Sequence, residues 1–178
     1  GDELTFLASV DANGSVSIDG STLLVTPATN FNGNIVVSVV ASDGIGSGSG
    51  NFTLTVNPVN DAPVIDIIAD KSIDEDSSLT ITLSASDIDS GDLIFSASNG
   101  GSEIVVDGAT LTITPPANYF GSEDVTVTVT DGELSDFTVF ALTVNPVNDA
   151  PTLDDLANAS VDEDEAYTLE LSGADVDN

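Results

Sequence analysis

The sequence predicts an all-β fold, built from tandem Greek-key β-sandwich repeats of about 88 residues stacked end to end. Three observations support this fold class. The stretch from Val56 to Pro63 recurs letter for letter from Val144 to Pro151, an offset of 88 residues. Apolar residues alternate with polar ones in short runs, which is the pattern of half-buried strands. No i, i+3, i+4 apolar pattern persists for three turns, so no helix is predicted.

The repeated stretch divides the chain, because it contains a short segment bracketed by two prolines, Pro58 and Pro63 in the first copy. The predicted parts are the later part of a first repeat (1–57), a linker (58–63), a complete repeat (64–145), a second linker (146–151) and the opening part of a third repeat (152–178). Each proline fixes its own φ and restricts the residue before it, so both linkers are expected to be short and stiff. The two partial repeats amount together to about one repeat. We therefore expect them to be complementary, and able to complete each other end to end between neighbouring molecules.

Within the complete repeat, the strands are predicted from alternation and the turns from glycine. The clearest runs are Leu79–Leu83, Val125–Val129 and Phe140–Val144, separated by Asn99-Gly100, Asp107-Gly108 and Asp131-Gly132. Phe140 and its counterpart Phe52, 88 residues earlier, are expected between the sheets. Phe120 stands opposite Asn32 of the first repeat, so the common fold does not require it. It is the best candidate for an exposed contact residue.

The composition excludes most kinds of chemistry. The chain has 31 acidic residues, one basic residue (Lys71) and no His or Cys, for a formal charge of −30 at pH 7. A Ser-His-Asp triad, a thiolate nucleophile and an ordinary zinc site are therefore excluded, and binding to nucleic acid or an anionic membrane is disfavoured. No apolar stretch approaches the roughly 18–20 residues of a membrane helix. Since 40% of the residues are hydrophobic, the chain is expected to fold despite its charge.

Acidic residues recur at loops and strand ends, where loops of one pole of a sandwich would bring them together. They are Asp74-Glu75-Asp76, the pair Asp87 and Asp89, Asp131, and Asn60-Asp61 in the linker. Converging carboxylates repel one another unless a cation binds. Oxygen ligands without His or thiolate favour Ca²⁺. The alternative is plain surface charge, to which we assign scattered acids such as Asp107, Glu123 and Asp136.

These residues also resemble a known family. The run Val129-Thr130-Asp131-Gly132, followed by Leu142-Thr143-Val144 and the linker, resembles the end of a cadherin repeat. Asp87-x-Asp89 with Gly91 resembles the motif near the start of the next repeat, and Glu75 resembles the acid that ends its first strand. The Pro-Val-Asn-Asp-Ala-Pro linker is similar to that of cadherin-like tandem repeats in large bacterial surface proteins and adhesins. The resemblance implies a cadherin-like or Ig-like sandwich.

The resemblance further implies a calcium ion at each junction. The ligands at the first junction would be Asn60, Asp61, Asp87, Asp89 and Asp131, and those at the second Asn148, Asp149, Asp175, Asp177 and Glu75. Pro58 and Pro146 stand where the animal linkers carry their first Asp. We therefore expect one ion per junction, with two as the alternative.

The repeat, the stiff linkers and the missing catalytic residue types favour a structural role over a catalytic one. The leading expectation is a calcium-rigidified spacer of a large secreted adhesin on the bacterial surface, projecting distal binding domains. The alternative is a binding module for polysaccharide or for another copy of itself, which an aromatic content of 5% without Trp disfavours. An enzyme would have only paired carboxylates available and is not expected. The expected partners are neighbouring repeats, with polysaccharide as a possibility.

Overall fold

A computed structural model describes residues 3–177; residues 1, 2 and 178, at the outer ends of the first and third predicted repeats, lie outside it. The described residues form strands and loops and contain no helix, which confirms the all-β prediction. They divide into two compact units, residues 1–61 and 62–178, so the division falls inside the stretch 58–63.

The first unit contains five strands, joined by short turns. They are β1 (Thr5–Ser9), β2 (Gly14–Asp19), β3 (Thr22–Pro27), β4 (Gly33–Ser42) and β5 (Ser47–Val56). An antiparallel sheet has the order β1-β4-β5, and β2 pairs with β3 as a hairpin. Alternating residues of β4 point to one face, so Ile35 and Val37 are fully buried.

The second unit contains eleven strands among its described residues. They are β6 (Val64–Ile65), β7 (Lys71–Asp74), β8 (Leu79–Thr82), β9 (Ala85–Ser86), β10 (Ile94–Ser98), β11 (Glu103–Asp107), β12 (Thr110–Thr114), β13 (Gly121–Thr130), β14 (Ser135–Asn145), β15 (Thr152–Leu153) and β16 (Gly173–Ala174). One sheet has the order β10-β13-β14-β7 and another the order β11-β12-β8. The strand pairs β6-β9 and β15-β16 are short antiparallel ladders. The pairing of β14 with β7 is parallel.

The core of the second unit lies between its two larger sheets, as expected for a sandwich. Leu111 and Ile113 of β12 face Val125, Val127 and Val129 of β13, and all five are fully buried. Phe140 is 1% exposed in the same cluster, which confirms its predicted position.

The expectation for Phe52 is wrong, since this side chain is 46% exposed. Phe52 is exposed because fewer residues cover it than cover Phe140. The cluster around Phe140 includes Ile73, Ile81 and Leu83, which come from the opening strands of its repeat. The described part of the first unit begins after the corresponding strands, so the inner face of β5 has less to pack against.

Candidate metal centre

The ten residues expected to bind calcium fall into two groups, of which one is divided between the two units and the other lies within a single unit. Asn60 and Asp61 belong to the first unit, whereas Asp87, Asp89 and Asp131 belong to the second. The first expected site is thus divided between the units, and each part is described separately. The second group lies wholly within the second unit.

Asp87 begins the loop that follows β9, and its carboxylate organises that loop. Its Oδ1 accepts hydrogen bonds from the backbone N–H groups of Asp89 (2.7 Å) and Ser90 (2.9 Å). Its Oδ2 is buried and has no hydrogen-bond partner. An unpaired buried carboxylate oxygen is costly, because it has lost water without gaining a donor.

Asp131 lies in the turn between β13 and β14. Its Oδ1 accepts from the N–H groups of Glu133 and Leu134, both at 2.7 Å. Asp43 makes the equivalent bonds to Ile45 (2.9 Å) and Gly46 (2.7 Å) in the first unit. This oxygen of Asp131 therefore stabilises a hairpin turn, a role that the resemblance alone did not reveal.

Glu75 ties the end of β7 to the second linker. It is 5% exposed, and it is the one buried polar or charged side chain in the part of the chain that the structure describes. Its N–H donates to the carbonyl of Asn145 (2.9 Å), and its Oε1 accepts from the N–H of Val147 (2.6 Å). A buried acid is thus held against the start of the 146–151 stretch.

Asp149, within the same linker, lies among several other carboxylates. Its N–H donates to Oδ2 of Asp177 (2.5 Å), and the N–H of Asp177 donates to Oδ1 of Asp175 (3.0 Å). The Oδ2 of Asp149 is buried and has no hydrogen-bond partner. Desolvation raises the pKa of Asp149, and repulsion from the carboxylates of Asp177, Asp76, Glu75 and Asp175 raises it further.

Asn148 differs from these acids, since its Nδ2 donates to the carbonyl of Asp149 (2.6 Å) and stabilises the linker turn.

Asp76 was not among the ten expected ligands, although its charge helps to raise the pKa of Asp149. Its Oδ1 also accepts from the N–H of Asn118 (3.0 Å). The sequence analysis identified Asp74-Glu75-Asp76 as a recurring acidic run, but the family resemblance implied only its middle residue as a calcium ligand.

Two acids assigned to plain surface charge have definite partners. Oδ2 of Asp136 accepts from the N–H of Ile65 (3.0 Å). Glu123 accepts from Nδ2 of Asn99 (3.2 Å), and from both the N–H and the hydroxyl of Ser102. That assignment was incomplete for both residues, because strand pairing brings distant donors to these acids.

The donors around Asp149 suit a hard cation, since they are carboxylate and carbonyl oxygens and one carboxylate oxygen is buried without a donor. In residues 3–177, however, no three acidic side chains are already arranged closely enough to hold a metal ion. Binding would therefore require the carboxylates of this group to move toward one another. We call Glu75, Asp76, Asp149, Asp175 and Asp177 the junction carboxylates.

Residues 3–177 include no helix with the length and apolar character needed to cross a membrane.

Comparison with known proteins places the chain in a family. No curated protein sequence matches it. Solved structures that match include the first two cadherin repeats of human protocadherin-24, with 16% identity, a TM-score of 0.47 and coverage of 82% of this chain and 84% of that one. Titin domains Z1Z2 in complex with telethonin match with 16% identity and a TM-score of 0.39, over 82% of this chain and 90% of that one. An endo-fucoidan hydrolase of glycoside hydrolase family 107 matches with 21% identity and a TM-score of 0.41.

The match to the endo-fucoidan hydrolase covers 83% of this chain and only 24% of the hydrolase chain. The sequence model of the bacterial Ig domain matches residues 1–57 and 60–141, which is most of the chain. Members of that family are commonly found in extracellular or surface proteins. The chain belongs to the bacterial Ig domain family.

Proposed function

We propose that this chain is a calcium-rigidified spacer within a large bacterial surface protein, and that it projects binding domains away from the cell. One observation carries the proposal: Asp149, in the linker after a complete sandwich, has a buried unpartnered oxygen and a raised pKa amid four other carboxylates. Such a group is unfavourable without a positive charge. The chain supplies one basic residue in all.

Calcium suits these ligands because it accepts six to eight oxygens in flexible geometry, whereas Mg²⁺ keeps several of its waters. A bound ion would supply the charge that allows the junction carboxylates to approach one another. Glu75 directly follows β7, Asp149 lies in the linker, and Asp175 and Asp177 lie in the loop after β16. An ion held by all three segments would restrict bending at the linker.

By the same reasoning we propose a further ion near the start of the second unit, held by Asp87, Asp89 and Asp131. The buried unpartnered Oδ2 of Asp87 supports this site. The proposed role is structural rather than catalytic, because His, Cys and Arg are absent from the chain.

The test combines stoichiometry with shape. Calorimetric titration with Ca²⁺ is expected to give about one ion per junction, and small-angle scattering is expected to show a stiffer, longer particle in calcium than in EDTA. Replacement of both Asp149 and Asp177 by Asn should abolish the ion at the second junction and leave the first. An unchanged scattering profile together with no heat of binding would reject the proposal.

A second candidate function rests on a different surface. Phe120 is 54% exposed and follows Tyr119, which lines an open groove of about 470 Å³ together with Glu123 and Asp124. Exposed aromatic rings beside acids are suited to stacking on sugars. A glycan array would favour this polysaccharide-binding role if one sugar class were bound reproducibly and Phe120→Ala removed the binding.

A further inference from the structure

The outer surface of strands β10, β13 and β14 in the complete repeat has a region without charged side chains. Since alternate residues of β13 are buried valines, the residues between them face outward. Strand pairing aligns three of these with outward residues of β10 and β14, in three rows of three. Three of the nine are serines, and the other six are Thr126, Thr128, Thr130, Ile94, Phe137 and Val139. We call these nine positions the neutral face.

The apolar side chains of the neutral face are open to solvent. Ile94 is 64% exposed, Phe137 is 65% exposed and Val139 is 47% exposed. Phe137 lies opposite Thr128 in the central row, and the other two lie in the rows on either side. Covering these side chains would remove apolar area from water, which favours association.

The absence of charge belongs to this sheet rather than to strands of the chain in general. On the opposite sheet, the outward residues of β11 are Glu103, Val105 and Asp107. In the first unit, the outward positions of β1, β4 and β5 in the equivalent registers are Ser, Thr, Asn, Leu and Val. The same face is thus uncharged in two repeats of a chain with 31 acidic residues.

We propose that the neutral face of one copy of this chain packs against the neutral face of a second copy. Charge selects this occupant. At a formal charge of −30, most other surfaces of two copies would meet carboxylate to carboxylate, at about 1 kcal/mol for each pair 4 Å apart in water. A basic partner would find no acid on this face. A second copy supplies an uncharged surface of the same kind, and the symmetric contact closes at two copies.

The size of the face predicts a weak contact. It extends about 14 Å along the strands and about 10 Å across them. Two copies would bury on the order of 600 Å² in total, below the roughly 1,000 Å² of a stable interface. The expected Kd for one repeat is therefore on the order of 0.1 mM. Repeats of a tandem array that meet in this way would add their contacts, and so strengthen side-by-side association.

Acidic residues border the neutral face and predict its response to salt. Asp124 is the outward residue of β13 next to Thr126, and Glu133 lies in the turn between β13 and β14. Their repulsion opposes association, and 1 M NaCl shortens the Debye length to about 3 Å. Salt should therefore strengthen the contact. Since no metal takes part, measurement in EDTA separates this proposal from the calcium spacer.

Sedimentation equilibrium of the full chain in EDTA, from about 10 μM to about 1 mM, tests the association. We expect a dimer that increases with protein concentration and with NaCl. Phe137→Ser introduces the residue found at its counterpart Ser49, so the fold should tolerate it, and it should weaken association tenfold or more. Val105→Ser is the matched control, because Val105 is 52% exposed on the opposite sheet. A wild type that stays monomeric throughout, or equal losses in the two variants, would overturn the proposal.

Spin labels test which faces meet, since the chain has no cysteine of its own. Ser98 lies at a corner of the neutral face and Thr80 on the outer face of the opposite sheet, and both are exposed. Because packed sheets lie about 10 Å apart, the backbone positions of Ser98→Cys labels should be separated by about 10–20 Å in the dimer, and those of Thr80→Cys labels by about 30 Å or more. Pulsed EPR measures both separations. A shorter separation at Thr80 than at Ser98 would overturn the assignment, as would a monomer that binds a neutral polysaccharide through Phe137.

Discussion

Asp149→Asn is expected to change the stability of the second unit in opposite directions with and without calcium. The pKa of Asp149 is raised in the folded protein above its ordinary value of 3.8. The folded state therefore binds more protons than the unfolded state between those two values, and stability falls as pH rises through that interval. In EDTA at pH 7, Asn should thus raise the melting temperature. The gain should disappear by about pH 3, where the carboxyl is protonated in both states.

In calcium the same substitution removes a proposed ligand. At a free concentration a hundred times Kd, one ion contributes about 2.7 kcal/mol to the free energy of unfolding. For a domain of 60–100 residues, that corresponds to roughly 10–20 °C in Tm. This figure is for one ion, because Asp149 is a proposed ligand of the ion at the second linker alone. The variant should therefore lose that ion's share of the increase in Tm that calcium gives the wild type.

Differential scanning calorimetry of four samples measures both effects: wild type and variant, each in EDTA and in excess calcium. Asp107→Asn is the matched control, because it removes one exposed carboxylate from β11, away from the linker. It should show the wild-type response to calcium. The reasoning is refuted if Asp149→Asn lowers Tm in EDTA, or if calcium raises the Tm of wild type and variant equally.

Three further predictions concern single side chains. Phe140→Ala should lower the free energy of unfolding of the second unit by about 3–5 kcal/mol. Phe52→Ala should lower that of the first unit by roughly half as much, because its ring is 46% exposed, as chemical denaturation of the two variants would show. Glu75→Ala leaves the N–H of Val147 without its acceptor and should cost about 1–3 kcal/mol in EDTA. Glu75→Gln keeps an acceptor oxygen and should cost less, so equal losses would contradict the role of this bond. The pKa of Asp43 is lowered by hydrogen bonds from the N–H groups of the turn that follows it. NMR titration should place its midpoint below 3.8, and the stability that it contributes should be lost as pH falls through that midpoint. A midpoint above 3.8 would contradict the turn geometry.

Much of the fold could be predicted, because the repeat presents the same strand and turn patterns in two copies 88 residues apart. The predicted turns at Asp107-Gly108 and Asp131-Gly132 are turns in the structure, and both glycines have positive φ. Asn30 and Asn118, 88 residues apart, have φ of 58° and 56°. Local backbone conformation is thus determined by short sequences, and it recurs wherever they recur.

Burial could not be predicted in the same way, because it depends on which strands are present to cover a face. Phe52 and Phe140 occupy equivalent positions in equivalent strands, yet one is half-exposed and the other buried. Period-two alternation identifies the inner face of a strand but not its covering layer. The contribution of Asp76 to the junction carboxylates was missed for a related reason, since its effect on Asp149 arises from packing of the linker.

The acids of this chain differ in what neutralises them, and that difference separates structural acids from candidate ligands. Lys71 is the one basic residue, so a carboxylate elsewhere in the chain can be stabilised only by N–H groups, hydroxyls, water or a bound cation. Asp136 and Glu123 accept bonds from residues that strand pairing brings to them. Asp149 instead keeps a buried oxygen without a donor, among like charges, in a linker that has few strand N–H groups to offer. A buried carboxylate that receives no hydrogen bond from the backbone is stabilised in its charged form only when a cation binds to it. For that reason Asp149, rather than the larger number of acids on the strands, is where the response of this chain to calcium should be measured.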